Sequence, residues 1–201
     1  MIHEIAQKAT KAIEKDCDAY EIYIDESKLI GLDSKKEELN FAKEEIEKGM
    51  GIRVIKDNKI GFAFTSNLDK IKETVNQALE NTKLNEIDKD YEFSQPEKVC
   101  AVKKVYDKKF NELSLDESVE FLENIIAKAL DMKCEVTGAG FSASEGKSLI
   151  LNSNGVSIEN IGTGFGVGLS VNLEKDGKIA IQYAIISTLT GFYLRMEYST
   201  G

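Results

Sequence analysis

The sequence predicts an α+β fold of two units, each with one or two helices packed on an antiparallel sheet. Three observations predict it. Residues 2–14, 68–82 and 115–132 space their apolar side chains three and four apart, as amphipathic helices do. Much of the remaining chain alternates apolar and polar residues with the period of half-buried strands. Short turns rich in Asp, Asn and Gly join those strands, and hairpin-linked strands argue against a doubly wound sheet.

The first helix sets Ile2, Ile5, Ala6, Ala9 and Ile13 on one face, with Glu and Lys opposite. YEIYIDESKLIGLD, residues 20–33, reads as two short strands in which Tyr20, Ile22 and Ile24 alternate with Glu21, Tyr23 and Asp25. Residues 36–48 fit a helix by their Glu/Lys content, but are read as a strand because β segments flank them. Residues 51–56 and 59–65 form a hairpin about Asp57-Asn58, a pair that tolerates the positive φ of tight turns. Ser66 is the expected N-cap of the next helix, with Asp69 as its capping partner. Leu68, Ile71, Val75, Ala78, Leu79 and Thr82 keep helical spacing after it.

Residues 84–113 hold the single proline, Pro96, and dense charge; they read as a linker with one short strand at 99–102. Ser114-x-x-Glu117 is a capping box opening a helix to about Met132, with Leu115, Val119, Leu122, Ile126 and Ala129 on one face. Strands follow at 134–144, 147–152, 156–162, 165–173 and 178–186, turned at Glu145-Gly146, Ser153-Asn154-Gly155 and Asp176-Gly177. The expected units are therefore 1–83 and 114–201, with 84–113 between them.

Two stretches echo each other: GMGIRVIKDNKIGFAF from Gly49 and GFGVGLSVNLEKDGKIAIQYA from Gly164. An internal duplication accounts for this, and so does the general similarity of β-hairpins; both readings stand. Neither glycine pair is a phosphate loop. Such a loop passes from a strand into a helix N-terminus, whereas Gly49 and Gly51 lead into a strand. Glycines in a strand mark a bulge or a close backbone approach instead.

Composition excludes several classes. The net charge of −9 is wrong for a surface that tracks phosphates, so no direct nucleic-acid partner is expected. No apolar run reaches the length of a membrane span, and the N-terminus lacks a signal peptide's apolar core. Cys17, Cys100 and Cys134 are scattered, odd in number and form no Cys-x-x-Cys, so inert thiols are expected. His3 is the single histidine, which removes any two-histidine zinc site within this sequence. The Glu37, Glu38, Glu44, Glu45 and Glu47 cluster reads as a solvated face. Ser142 and Ser144 do not lie in Gly-x-Ser-x-Gly. No self-contained catalytic or metal site is legible.

Four pieces in order carry a family resemblance: YEIYIDES after the first helix, KGMGIRVIKDNKIGFAFTSNLDKI, LSLDESVEFLENIIAKAL, and FSASEGKSLILNSNGVSIEN leading into GLSVNLEKDGK. The sequence resembles the N-terminal and central regions of the TldD/PmbA proteins, the U62 peptidase or "modulator of DNA gyrase" family. It leans towards the PmbA side, also called TldE, through Thr65-Ser66-Asn67-Leu68-Asp69. The markers are Gly49, Gly51, Arg53, Asp57, Gly61, Thr65, Ser66 and Asp69 in the first hairpin, echoed by Gly164, Gly166, Asp176 and Gly177 in the second. The resemblance implies a cytoplasmic protein of intracellular proteolysis or peptide processing. It also implies a homo- or hetero-oligomer with a TldD-type partner, and a peptide or unfolded polypeptide as substrate. TldD members resemble zinc peptidases with His-Glu-x-x-x-His in a carboxy-terminal half; that motif is absent here. Zinc is therefore expected only in a catalytic partner or a missing C-terminal domain, and no catalytic or metal residue is carried over. The implied role is non-catalytic assembly and substrate guidance. Its alternatives are a fragment of a zinc peptidase whose motif lies beyond residue 201, and an unrelated binding or scaffold domain. The tail after Tyr183 fits the family pattern poorly and reads as a truncation; a chain ending within a sheet leaves an edge that invites self-association.

Overall fold

The computed structural model describes residues 2–98, 102–175 and 178–188. Three helices and six strands follow in the order α1 (Ile2–Ile13), β1 (Ala19–Lys35), β2 (Glu38–Lys56), β3 (Lys59–Thr65), α2 (Ile71–Thr82), α3 (Leu115–Asp131), β4 (Glu135–Asn152), β5 (Ser157–Lys175) and β6 (Lys178–Thr188). The strands hydrogen-bond in the order β3-β2-β1-β4-β5-β6, and the helices-plus-antiparallel-sheet class expected from the sequence is the one observed.

Two compact units emerge, and neither is a continuous stretch. The first comprises Met1–Ser27, Ile46–Ala101 and Gly146–Ile161; the second comprises Lys28–Glu45, Val102–Glu145 and Gly162–Gly201. β1, β2, β4 and β5 each contribute residues to both.

In the first unit, α1 buries Ile2, Ile5, Ala6, Ala9 and Ile13, and α2 buries Ile71, Val75 and Ala78. They meet Ile22 and Ile24 of β1, Met50, Ile52 and Val54 of β2, Ala63 of β3 and Leu149 of β4. Every second residue of each strand faces the helices, as the alternation requires. The β2–β3 hairpin has the expected register, with Ile55 opposite Ile60 and Lys56 opposite Lys59. Asp57 and Asn58 take φ of 53° and 58°, the left-handed values of a tight hairpin turn. Asp18 reinforces it by accepting the Asp57 N–H at 2.8 Å. Asn81 and Asn85 donate to the carbonyls of Phe62 and Ile60, each at 2.7 Å, and so occupy edge groups of β3 that would otherwise recruit another strand.

In the second unit, α3 lays Leu122, Ile126 and Ala129 on Ile30 and Leu32 of β1, on Val136, Ala139, Phe141 and Ala143 of β4, and on Phe165 and Val167 of β5. Phe121, Phe141 and Phe165 meet edge-on, with centroids 5.2–6.3 Å apart. The capping box is formed as expected. Ser114 Oγ accepts from Glu117 N, and the Glu117 carboxylate accepts from Ser114 N at 3.0 Å. Those bonds hold the Glu117 carboxyl below its ordinary range, so its share of the cap is present at neutral pH. It is lost as pH falls through that lowered value. Ser114→Ala is expected to cost about 1 kcal/mol, read as a lower urea midpoint at pH 7 with unchanged slope.

Several expected breaks are not breaks. The two strands expected in 20–33 are one. Its polar middle is accommodated by cross-strand ion pairs, Lys48 with Glu26 at 3.1 Å and Lys28 with Glu44 at 2.7 Å. The same pairs explain why the charged stretch after residue 38 is strand rather than helix. The β1–β2 turn lies at Lys36-Glu37, with Lys36 at φ 58°. Glu145-Gly146 is not a turn but the interior of β4, where Glu145 is buried and accepts the Tyr106 hydroxyl at 2.9 Å. Residues 163–164 likewise continue β5, with Thr163 N donating to Val105 O at 2.8 Å. The turn at 153–155 is present, with Gly155 at φ 96°.

The cap before α2 is Asn67, not Ser66. Asn67 Oδ1 accepts from Asp69 N at 3.0 Å and opens a 3₁₀ turn, Leu68–Lys70, that leads into the helix. Both residue types cap well; Thr65 Oγ1, accepting from Asn67 N at 3.0 Å, sets Asn67 in place. Residues 84–98 and 102–113 contain little regular structure beyond a 3₁₀ turn at Lys108–Glu112, yet they are anchored. Phe93 is buried, and Asn154 Nδ2 donates to its carbonyl at 2.8 Å. Phe110 is buried in the second core. Most of the strand expected at 99–102, and the Asp176-Gly177 turn, lie outside the described residues.

Candidate functional site

The face of the first unit turned away from its helices carries the alternate residues of each strand. β1 contributes Glu21, Tyr23 and Asp25; β2 contributes Gly49, Gly51 and Arg53; β3 contributes Phe62 and Phe64; β4 contributes Ile150. Together with Thr65 and Ser66 they line an open cavity of about 440 Å³.

The glycines have a definite purpose there. In the β2–β3 register Arg53 stands opposite Phe62 and Gly51 opposite Phe64. Phe62 leans diagonally over Gly51, where an added Cβ would lie 3.4 Å from its ring. A Cβ added at Gly49 would lie 3.5 Å from Asp25 Oδ1. Gly49 and Gly51 thus form a bare backbone floor between aromatic and acidic walls. Phe62 and Phe64 stack, centroids 6.1 Å apart and planes 24° from parallel, and Phe64 is 77% exposed.

At one end Arg53 bonds to Glu21, which is 6% exposed, and donates to the Tyr91 hydroxyl at 3.2 Å. Its guanidinium lies 5.8 Å from the centre of the Phe93 ring, itself edge-on to Tyr91. The charge of Glu21 is therefore cancelled within the wall. Asp25 is different: it is half-buried and has no hydrogen bond or ion pair among the described residues.

The sequence-predicted residues divide by role. Gly49, Gly51, Arg53, Thr65 and Ser66 meet at this cavity. Asp57 shapes the hairpin turn, and Asp69 lies within the 3₁₀ turn, its N–H donating to Asn67 Oδ1. Gly61 sits under α2, where a Cβ would meet Ala78 O at 2.0 Å. Gly164 and Gly166 belong to the second unit, with Ser144 and Ser142 hydroxyls 3.0 Å from where their Cβ atoms would stand. Asp176 and Gly177 lie outside the described residues. Sequence reasoning did not single out Tyr23, Asp25, Phe62 and Phe64. The signal was in the alternation: they are the residues between the buried ones.

A zinc ion does not fit the described residues, among which no three His, Cys, Asp or Glu side chains converge. His3 Nε2 lies 3.0 Å from Glu159 on an exposed surface. Cys17 is a poor nucleophile, its thiol pushed up to about 11 by burial and by Asp18 and Asp16. Among the described residues no helix is long and apolar enough to cross a membrane.

Comparison with known proteins places this framework. Residues 20–82 match the family model described as PmbA/TldA metallopeptidase domain 1, and residues 108–196 match the PmbA/TldA metallopeptidase central domain. The chain belongs to the PmbA/TldD family. The match to residue 196 corrects the expectation that the tail after Tyr183 departs from the family pattern. A relative of this PmbA/TldD chain, an uncharacterized protein of Methanocaldococcus jannaschii, is 32% identical over 82% of the chain and 38% of its own length. The crystal structure of TldE from Thermococcus kodakarensis is 25% identical with a TM-score of 0.78, covering 91% of this chain and 42% of that one. A Thermotoga maritima structure described as a modulator of a DNA gyrase shares the fold at 19% identity and a TM-score of 0.81, covering 94% and 44%. The chain thus spans 38–44% of the length of these relatives.

Proposed function

We propose that this chain serves a PmbA/TldD-type peptidase system as a non-catalytic part that assembles with a TldD-type partner and guides peptide substrate. The observation that carries the reading is the open sheet face of the first unit. Its glycine floor and aromatic walls suit an extended, unfolded segment, which presents alternate side chains to one side. Kinship with a structure named TldE supports the PmbA side of the family. Zinc and the hydrolytic step belong, on this reading, to the partner. A second reading is favoured by the 38–45% share of its relatives that the chain spans: it is the N-terminal and central part of a zinc peptidase whose metal motif follows residue 201.

The experiment is to incubate the 201-residue chain with unfolded peptides, with and without zinc, and then with a TldD-type protein. Peptide binding without cleavage, and cleavage once that protein is added, are the expected results. Zinc-dependent hydrolysis by the chain alone would overturn the non-catalytic role.

A further inference from the structure

We propose that the open-face cavity of the first unit binds the cationic side chain of a lysine or arginine in an extended peptide. The inference rests on the peptide-guiding reading and names which side chain the surface selects.

The charges decide the chemistry. Arg53 is half exposed but bonded to the buried Glu21, so that pair is neutral as a whole and Asp25 leaves the lining with a net negative charge. Asp25 has no such partner, and it borders the Gly49 floor. Alternation puts exposed Glu47 on the same side of β2 as Gly49, adding to the negative field. An apolar occupant would strip water from Asp25 and return no hydrogen bond. A cation returns one.

The walls favour the same occupant. Tyr23, Phe62 and Phe64 are each roughly half exposed or more. Such rings attract ammonium and guanidinium groups, and they also cover the methylene stem of a long basic side chain. Because Gly49 and Gly51 carry no side chains, Asp25 and the Phe62 ring close over the floor, so that a stem lying along Phe62 would bring its cation towards Asp25. A cavity of about 440 Å³ admits one long side chain with its flanking backbone.

The test is calorimetric titration of the 201-residue chain with short acetylated and amidated peptides of equal length, differing only in a central Lys, Arg, norleucine or Glu. The Lys and Arg peptides are expected to bind about tenfold more tightly than the norleucine peptide, and the margin should shrink with added salt. Asp25→Asn should remove the preference for Lys over norleucine. Phe62→Leu, a change at a half-exposed ring, should weaken it in a chain whose circular dichroism is unaltered. Equal binding of Lys and norleucine peptides would overturn the cation site while leaving peptide guidance intact. Failure of every peptide to bind would overturn both.

Discussion

Gly61→Ala is expected to lower stability by about 3 kcal/mol, near the upper end of what overpacking a close-fitting site costs. The first methyl carbon placed at this position would fall 2.0 Å from Ala78 O, 2.7 Å from Thr82 Cγ2 and 3.0 Å from Thr82 N. Two of these three are backbone atoms of α2, so no rotamer change relieves the clash. The helix would have to lift from β3, yet Asn81 and Asn85 tie it there through the carbonyls of Phe62 and Ile60. Lifting it would also open the contact of Ala78 and Val75 with the core. Gly146→Ala is the control, since nothing lies within 4 Å of its Cβ position and its φ is unremarkable for any residue. That substitution should stay within about 0.5 kcal/mol of the parent. Urea unfolding of the two variants against the parent gives the comparison. Equal midpoints for Gly61→Ala and the parent would mean that α2 does not pack this closely.

The contrast between Gly61 and the Gly49-Gly51 pair shows what the sequence made legible and what it did not. All three glycines stand in one apolar hairpin, and the hairpin itself was plain from alternation and from Asp57-Asn58. Their roles differ only in space. Gly61 points at a helix, while Gly49 and Gly51 point away from both helices and floor a cavity. Telling these apart needs the parity of each strand against its buried residues. Building the cavity then needs the register that sets Phe62 diagonally over Gly51. The first is readable from sequence; the second belongs to strand pairing. The unpartnered state of Asp25 was beyond reach for the same reason, because its neighbours come from another strand.

Strand continuity is not legible in the sequence where polar or glycine residues interrupt an apolar run. A Glu-Gly pair carries a turn signal, but in β4 the Glu145 carboxylate is held inside by Tyr106, a residue 39 positions away. In β1 the interruption is resolved by Glu44 and Lys48 on the neighbouring strand. Long-range polar partners supply what local propensity lacks, and one-dimensional periodicity does not contain them. Helices are more legible, since the Ser114–Glu117 box and the apolar stripe of α3 are complete within one short stretch.

Phe110→Ala is expected to cost about 4 kcal/mol, although residue 110 lies in a stretch whose charge and irregularity mark a connector. The ring is 1% exposed and packs in the cluster that includes Leu122, Ile126 and Phe141. The Lys28 ammonium stands 5.9 Å from its centre. Removing the ring leaves a void, and the cost of a void depends on whether its surroundings collapse. Here they are pinned. Asp107 accepts from Lys109 N at 3.0 Å, and Asp107 N donates to Thr163 Oγ1 at 2.9 Å, so the turn that carries Phe110 is fastened to β5. A tether that merely spanned two units would tolerate the change within about 0.5 kcal/mol, as exposed positions do. Equilibrium unfolding in urea separates these outcomes by a wide margin. Phe110→Leu, which keeps most of the buried volume, should recover the greater part of the loss; a loss of the same size in Leu and Ala variants would trace the effect to the aromatic ring rather than to the filled space.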